Sequence, residues 1–244
     1  MRPDRRSGIG PVSAYKREQA AISRRTLYPV TAFYTAAAAI LLFLGLRTRH
    51  LFVMLPFFAL GIVIFTLSEY MSHRWVFHRH WKQSKKWYKK FGTYLTHKYL
   101  DPTHFGHHEK PFDGTHINGR FKDLLPIFFF LLPLSLLFPI YTAPATFAAI
   151  MLSYVSEEWI HHSEHYYNFN NRYFRHIKKY HLYHHSSRGI DRGYGITNAF
   201  WDVVFGTRFP PHIRQRLFGP SRFSRSNPQL QQPAAYNVDS RGLQ

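Results

Sequence analysis

Three long stretches of the sequence contain no charged residue, and they constrain the fold more than any other feature. Residues 27–46 and 51–67 are the first two, and residues 124–156 form a third run of 33 residues. A helix of 20 residues spans about 30 Å, which is the thickness of the hydrocarbon core of a bilayer. The length of these runs therefore favours membrane-spanning helices over the buried helices of a soluble protein.

The third run is long enough to cross a membrane twice. Pro139 and Pro144 lie near its middle, and prolines at this spacing are typical of a turn between two helices. We therefore predict an all-α integral membrane protein with four transmembrane helices in two hairpins, with spans near residues 27–46, 51–71, 124–140 and 143–160.

The basic residues lie outside these runs. The chain has 32 Lys and Arg against 13 Asp and Glu, a formal net charge of +19, and most of the excess is in residues 1–25, 72–123 and 161–244. Because basic loops are retained in the cytoplasm, we expect all three segments on that side. Nucleic acid is not an expected partner, since no docking module is evident and anionic lipid headgroups account for the same charge.

The domain organisation follows from this distribution of charge. We expect a basic cytosolic arm at residues 1–25 and a multi-pass membrane domain at residues 26–207. Residues 208–244 are rich in Pro, Ser and Gln, which predicts a flexible C-terminal tail.

Histidine is the residue type that points to chemistry. Fifteen of the 17 histidines fall within residues 73–116 and 161–185, two segments that follow the second and fourth predicted spans. The pattern H-x-x-H-H occurs twice, at residues 104–108 and 181–185, and on a helix its three imidazoles share one face. The sequence has no cysteine, which excludes disulfides, thiolate-bound zinc and iron–sulfur clusters.

Two further pairs extend the histidine pattern. His161 and His165 are four residues apart at the end of the fourth predicted span, and His73 and His78 directly follow the second. A spacing of five corresponds to about 140° around an ideal helix, so His73 and His78 need a helix end or side chains that reach from both flanks. Imidazole ligands suit iron, zinc, copper or nickel. Ten of them are too many for one ion but fit two.

The site and the topology depend on each other. If the third uncharged run crossed the membrane once, the two histidine segments would face opposite compartments and could not share a site. A double crossing places both on the cytoplasmic side. The sequence therefore predicts a dimetal site in a cytosolic helical cap at the ends of the spans.

The order of the motifs, H-x4-H, H-x-x-H-H, H-x3-H and H-x-x-H-H, resembles the membrane-bound fatty acid hydroxylase superfamily, which includes sterol desaturases and carotenoid hydroxylases. Two further stretches, HHEKPFDG at residues 107–114 and GYGITNAFWD at residues 193–202, resemble the fatty acid 2-hydroxylases in particular. The resemblance extends over about residues 55–207, so the membrane domain at 26–207 is identified as a fatty acid hydroxylase domain.

The resemblance implies a dinuclear non-haem iron site that activates O2 and hydroxylates a long-chain acyl lipid, at C2 of a fatty acyl or ceramide-type chain. Zinc is the alternative metal. The gap between His78 and His104 is longer than in the 2-hydroxylases, which makes His97 a competitor for His104. Carried over position by position, the implied ligands are His73, His78, His104, His107, His108, His161, His165, His181, His184 and His185.

Several acidic residues lie close to these histidines in sequence. Glu157, Glu158 and Glu164 surround His161 and His165, and carboxylates often hydrogen-bond to metal-bound imidazoles. We regard Glu157, Glu158 and Asp202 as candidates for that role; the competing interpretation is a carboxylate pair at the membrane surface. We expect no cytochrome b5-like haem domain before the first span. Electrons are then expected from a separate cytochrome b5-like or ferredoxin-like protein.

Three other functions stay open at this point. The chain could oxidise a sterol or a carotenoid, or it could be a non-catalytic membrane protein that binds structural zinc. A metal transporter would place its ligands near the middle of the membrane, whereas these histidines follow the ends of the spans. The pattern therefore favours a lipid hydroxylase.

Overall fold

The structure, a computed structural model, describes residues 11–79, 86–95, 101–119 and 121–219. Within these ranges it consists of helices and turns without a strand, which confirms the all-α prediction. A π-helical turn, Ser72–Phe77, continues the second helix directly. The helices are α1 (Pro11–Arg47), α2 (Leu51–Met71), α3 (Trp87–Leu95), α4 (Asp101–Glu109), α5 (Phe121–Ser135), α6 (Ala143–Tyr166), α7 (Arg172–His184), α8 (Phe200–Val204) and α9 (Pro211–Phe218).

Within the described residues, two helices are long and apolar enough to cross a membrane: Ser13–Arg47 and Leu51–Phe77. Their large apolar side chains are turned outward to an extent that a soluble protein rarely shows; Phe52, for example, is 90% exposed. Phe130 of α5 is similarly exposed. These surfaces indicate a membrane protein.

Helix α6 lies at the centre of the helical unit and packs against both α1 and α2. Tyr34 and Ala38 of α1 contact Phe147 and Met151 of α6 in the buried core, and Phe128 of α5 closes the cluster. The chain turns at residues 136–142, between α5 and α6. Because α6 continues beyond the core, its last two turns carry His161 and His165 away from the apolar part of the bundle.

Helix α1 begins well before the first uncharged run. Residues 11–25, for which the sequence predicted a polar arm, form its first turns. Gln19 accepts a hydrogen bond from the backbone N–H of Gly114 at 2.9 Å, and the Lys16 ammonium lies 3.8 Å from the centre of the Phe112 ring. These contacts hold the segment that follows α4 next to α1.

The described residues after Arg208, up to residue 219, belong to a second unit. Its described part contains α9, where the sequence predicted a flexible tail. Pro211 is the first residue of α9, and proline is favoured there because its fixed φ suits a helix start.

Gly61 lies where α2 and α6 come closest, and we expect Gly61→Ala to destabilise the bundle. A Cβ at this position would meet the carbonyl oxygen of Thr146 at 2.3 Å and the Cβ of Ala149 at 2.7 Å. Forcing the helices apart should cost about 1–3 kcal/mol, measured as a lower melting temperature of the purified protein in detergent.

Gly92→Ala is the matched control, because a Cβ on Gly92 of α3 meets nothing within 4 Å. Alanine is the better helix former, so this change should leave the melting temperature unchanged or raise it. Equal melting temperatures for the two variants would contradict the close packing at Gly61.

Candidate metal centre

Four segments bring the ten predicted histidines to one place. The π-helical turn and the residue after it carry two, α4 carries three, the end of α6 carries two, and the end of α7 with the residue after it carries three. Each pair or triplet shares a helix face, so the imidazoles of every segment converge. In chain order they are His73 and His78, then His104, His107 and His108, then His161 and His165, then His181, His184 and His185.

The π-helical turn explains how residues five apart can share a site. The backbone N–H of His78 donates to the carbonyl of His73 at 3.2 Å, the i→i+5 bond of a π-helix. This wider turn returns His78 to the side of His73, whereas an α-helix would direct them about 140° apart. As a result the two Nε2 atoms are 3.2 Å apart.

Five of the histidines form one group, which we call the five-histidine group: His107, His161, His165, His181 and His185. One potential ligand atom from each lies within 4.8 Å of all the others. The Nε2 atoms of His107 and His161 are 3.0 Å apart, and those of His165 and His181 are 2.9 Å apart. The group therefore joins α4, α6 and α7.

The other group, the four-histidine group, consists of His73, His78, His108 and His184. The Nε2 atom of His184 is 3.1 Å from that of His73 and 2.9 Å from that of His78. His104 adjoins this group, with its Nε2 atom 3.0 Å from that of His78. The stacked rings of His108 and His185, 4.2 Å apart, link the two groups.

The hydrogen bonds of two rings define where their lone pairs point. Nδ1 of His73 lies 2.5 Å from the carbonyl oxygen of Tyr194, and Nδ1 of His184 lies 2.7 Å from that of Arg192. A carbonyl oxygen only accepts, so each Nδ1 carries the ring proton and each Nε2 is left with a lone pair. Two lone pairs 3.1 Å apart cannot hydrogen-bond to each other, but they can share a cation.

The geometry of both groups fits metal ions. Metal–imidazole bonds of about 2.1 Å place two ligand nitrogens about 3.4 Å apart at the tetrahedral angle and about 3.0 Å apart at the right angles of octahedral coordination. The Nε2 spacings in both groups are close to the second value. Metal ligation also requires neutral imidazoles. Burial, together with neighbouring histidines, lowers the pKa of His108 and His161 to about 3. Burial likewise lowers the pKa of His184 to about 4, although its backbone hydrogen bonds oppose the shift.

Two of the remaining histidines bear on the ligand predictions. His97, the competitor for His104, lies outside the described residues. His162 belongs to neither group: its Nδ1 is 2.7 Å from the hydroxyl of Ser23 on α1. That hydroxyl also donates to Asn118, whose amide in turn donates to Glu158 at 2.9 Å. His162 thus contributes to the packing of α1 against the end of α6.

The acidic residues near the groups differ in what they contact. Glu158 accepts hydrogen bonds from Asn118 and from the backbone of Gly119, and Glu157 is buried on α6. Glu164, which the sequence placed beside His165, is buried with one carboxylate oxygen 3.9 Å from Nδ1 of His181. Burial raises the pKa of the Glu164 carboxyl. Glu164 is therefore the acid that lies against an imidazole of the five-histidine group.

A sequence model described as fatty acid hydroxylase matches residues 58–207, which is more than half of the chain. The chain belongs to the fatty acid hydroxylase family. The matched range contains the whole of both histidine groups and ends just after α8. Its boundaries agree with the resemblance that the histidine motifs indicated.

Similar proteins of this family are named as hydroxylases of fatty acids or fatty acyl chains. The chain is 37% identical over 61% of its length to a dihydroceramide fatty acyl 2-hydroxylase of Arabidopsis thaliana, of which it spans 59%. It is 32% identical over 65% of its length to the ceramide very long chain fatty acid hydroxylase of Schizosaccharomyces pombe, of which it spans 44%. The chain thus spans about half of the length of these relatives.

A solved structure has the same fold. It is described as full-length scs7p with only the hydroxylase domain visible, and it matches with a TM-score of 0.64 at 28% identity. The match covers 76% of this chain and 67% of that one. The family assignment therefore rests on sequence and on fold.

Some residues that build the site of this family member were not recognised in the sequence. The carbonyls of Tyr194 and Arg192 orient His73 and His184, and a backbone group carries no side-chain signal. Glu69 accepts hydrogen bonds from the backbone of Ile196 and Thr197. The position of Glu69 in the sequence could have identified it as a functional residue, because an acid at the end of an apolar span is rare.

Proposed function

We propose that this chain is a membrane-bound, O2-dependent hydroxylase that uses two non-haem iron ions to oxidise a long-chain acyl lipid at C2. The observation that carries the proposal is the convergence of nine imidazoles into two groups, with His104 beside one of them, within a chain of the fatty acid hydroxylase family. An arrangement built only for structural stability would leave the lone pairs of His73 and His184 opposed.

The five-histidine group would hold one iron ion, and the four-histidine group with His104 would hold the other. Iron in such a site supplies the activation of O2 for insertion into a C–H bond. The chain's own residues orient the ligands: the carbonyls of Tyr194 and Arg192 hold two imidazoles with their Nε2 atoms toward the centre. Glu164 lies beside His181, and although burial raises the pKa of its carboxyl, a bound cation would favour the ionised form, whose negative charge would offset that of the cation.

A groove between α2 and α6 supports an acyl lipid as the substrate. It encloses about 360 Å³, and α2 contributes Phe58, Ile62, Phe65 and Thr66 to its walls. From α6 it includes Ser153 and Ile160. Ile160 directly precedes His161, so this end of the groove lies at the level of the histidine groups along α6. A hydrocarbon chain of the bilayer fits such a groove.

The position of the groove favours oxidation near the polar end of the lipid. The histidines lie at the ends of α2 and α6, while the groove follows both helices back into the membrane. A lipid with its tail in the groove presents the first carbons after the headgroup to the site. We therefore propose C2 of a fatty acyl or ceramide-type chain rather than a mid-chain carbon.

The reaction needs a source of electrons. One atom of O2 enters the C–H bond as a hydroxyl group and the other leaves as water, which consumes two electrons and two protons. We propose a separate electron-transfer protein, cytochrome b5-like or ferredoxin-like, as the donor.

The proposal includes a topology of four spans with the histidine site in the cytoplasm. The chain has no native cysteine, so single cysteines report on sidedness without background. Ser187→Cys, next to the four-histidine group, should react with an impermeant thiol reagent only from the cytoplasmic side, and His50→Cys between α1 and α2 only from the other side. Labelling of both from one side would contradict this topology.

Lipid analysis tests the function. Cells that express the chain with an electron donor should accumulate acyl chains heavier by one oxygen atom, and fragmentation in the mass spectrometer should place that atom at C2. Oxygen on a sterol or carotenoid ring would show that the substrate is one of those lipids, which other members of the superfamily oxidise, and not an acyl chain. Unchanged lipids in cells whose purified protein holds iron would favour a non-catalytic metal site.

A further inference from the structure

Four consecutive backbone N–H groups, those of residues 194–197, donate to carboxylates. Asp202 accepts from Tyr194 at 3.0 Å and from Gly195 at 2.9 Å. Glu69 accepts from the next two, Ile196 at 2.8 Å and Thr197 at 3.2 Å, through one oxygen, Oε1. The two acids therefore fix the path of this short loop from both ends.

The acids come from different parts of the chain. Asp202 belongs to α8, a few residues after the loop, and is fully buried. Glu69 belongs to the last turn of α2 and is more than 120 residues away in sequence. Its second oxygen accepts from the hydroxyl of Thr197 at 2.9 Å. Glu69 thus supplies a long-range attachment of the loop to α2, in addition to the contact between Tyr194 and His73.

The loop contacts the four-histidine group at one end and the groove at the other. The carbonyl of Tyr194, at its first residue, accepts the Nδ1–H of His73. Thr197, at its last residue, lines the groove between α2 and α6. Three residues separate these two contacts, a span of at most about 10 Å. The loop is consequently a direct connection between a metal ligand and the predicted acyl site.

We propose that Glu69 is a positioning residue for the four-histidine group: by holding residues 196 and 197 it keeps the Tyr194 carbonyl on His73, which fixes the tautomer and the direction of that imidazole. The proposal rests on the metal-binding part of the proposed function. Partners that orient a metal-bound imidazole contribute 10–100-fold to metal affinity. The five-histidine group contains neither His73 nor a contact with residues 194–197 among its described hydrogen bonds.

Substitutions at Glu69 separate hydrogen bonding from charge. Glu69→Leu removes all three acceptor contacts, whereas Glu69→Gln keeps an amide oxygen for the N–H groups of Ile196 and Thr197. Ser68→Leu is the matched control, because Ser68 is its exposed neighbour on α2. Zinc serves as the probe, and the full chain is purified in detergent.

We expect two zinc ions per chain for the wild type and for Ser68→Leu. Glu69→Leu should lower the affinity for one of the two zinc ions by at least tenfold and leave the affinity for the other unchanged. Glu69→Gln should restore most of the lost affinity. In a double-mutant cycle, Glu69→Leu should add nothing to His73→Ala and should add fully to His165→Ala, which lies in the five-histidine group.

Each other outcome has a distinct meaning. A wild type that binds no zinc refutes the metal site itself and with it the proposed function. Two zinc ions with unchanged affinities in Glu69→Leu overturn the role of Glu69 alone. If Glu69→Leu fails to fold, Thr197→Val serves in its place, because it removes one donor to Glu69. It must then lower the affinity for the zinc ion of the four-histidine group and for no other. No weakening, or equal weakening of both ions, overturns the proposal.

Discussion

His184→Ala is expected to remove one metal ion per chain and to lower lipid hydroxylation by roughly 100-fold or more. His184 has its Nε2 atom 2.9 Å from that of His78 and 3.1 Å from that of His73, so it lies at the centre of the four-histidine group. Its loss removes the imidazole nearest to both of those ligands, so the ion should be held much more weakly and be lost during purification. Metal analysis of the purified chain and lipid mass spectrometry measure the two effects.

His176→Ala is the matched control for that change. His176 lies on the same helix, α7, two turns before His184 and outside both histidine groups. This variant should retain two metal ions and its activity. Full metal content in His184→Ala, or an equal loss in His176→Ala, would contradict the assignment of the four-histidine group.

Ser153→Trp is expected to suppress oxidation of long acyl chains without altering metal content. Ser153 lines the groove between α2 and α6, and an indole there would occupy the space of the lipid tail. We expect the catalytic efficiency for a long-chain substrate to fall by about 10–100-fold, equivalent to about 1.4–2.8 kcal/mol. Activity assays with acyl chains of graded length measure the effect.

Short acyl chains that do not reach Ser153 should be affected less, so the variant should shift the preference toward them. Ser153→Ala, which removes the hydroxyl and adds no bulk, is the control and should behave like the wild type. Unchanged oxidation of long chains by Ser153→Trp would show that the tail does not lie in this groove.

The sequence predicted the fold class because its strongest signals are local. An H-x-x-H-H triplet lies within two helical turns and an uncharged run of membrane length within one or two helices, and the all-α fold and the family follow from them. The bundle's packing did not follow in the same way. That α6 packs between α1 and α2 depends on close approaches such as Gly61 on Thr146, which involve residues distant in sequence.

The histidine groups show the same division. The members of each motif could be assigned to a helix face, but the partition into five and four could not, because adjacent residues go to different groups. His107 joins the five-histidine group, while His108 joins the four-histidine group. Only the relative placement of α4, α6 and α7 decides this partition.

The relative placement of His73 and His78 could not be predicted from the sequence either. Their spacing of five was incompatible with one face of an α-helix, and the structure resolves it with a π-helical turn, Ser72–Phe77. No side chain in Ser72–Phe77 predicts a π-helical turn. The turn depends on what surrounds it, including the hydrogen bond between His73 and the Tyr194 carbonyl.

Incorporation of oxygen-18 from O2 gas into the lipid product tests the central claim most directly. The purified chain, loaded with iron and supplied with a reductant, is incubated with a long-chain acyl lipid under labelled O2, and the product is fragmented in a mass spectrometer. The account predicts one labelled oxygen atom per product molecule, located at C2 of the acyl chain. Oxygen derived from water, or labelled oxygen at another carbon, would contradict it.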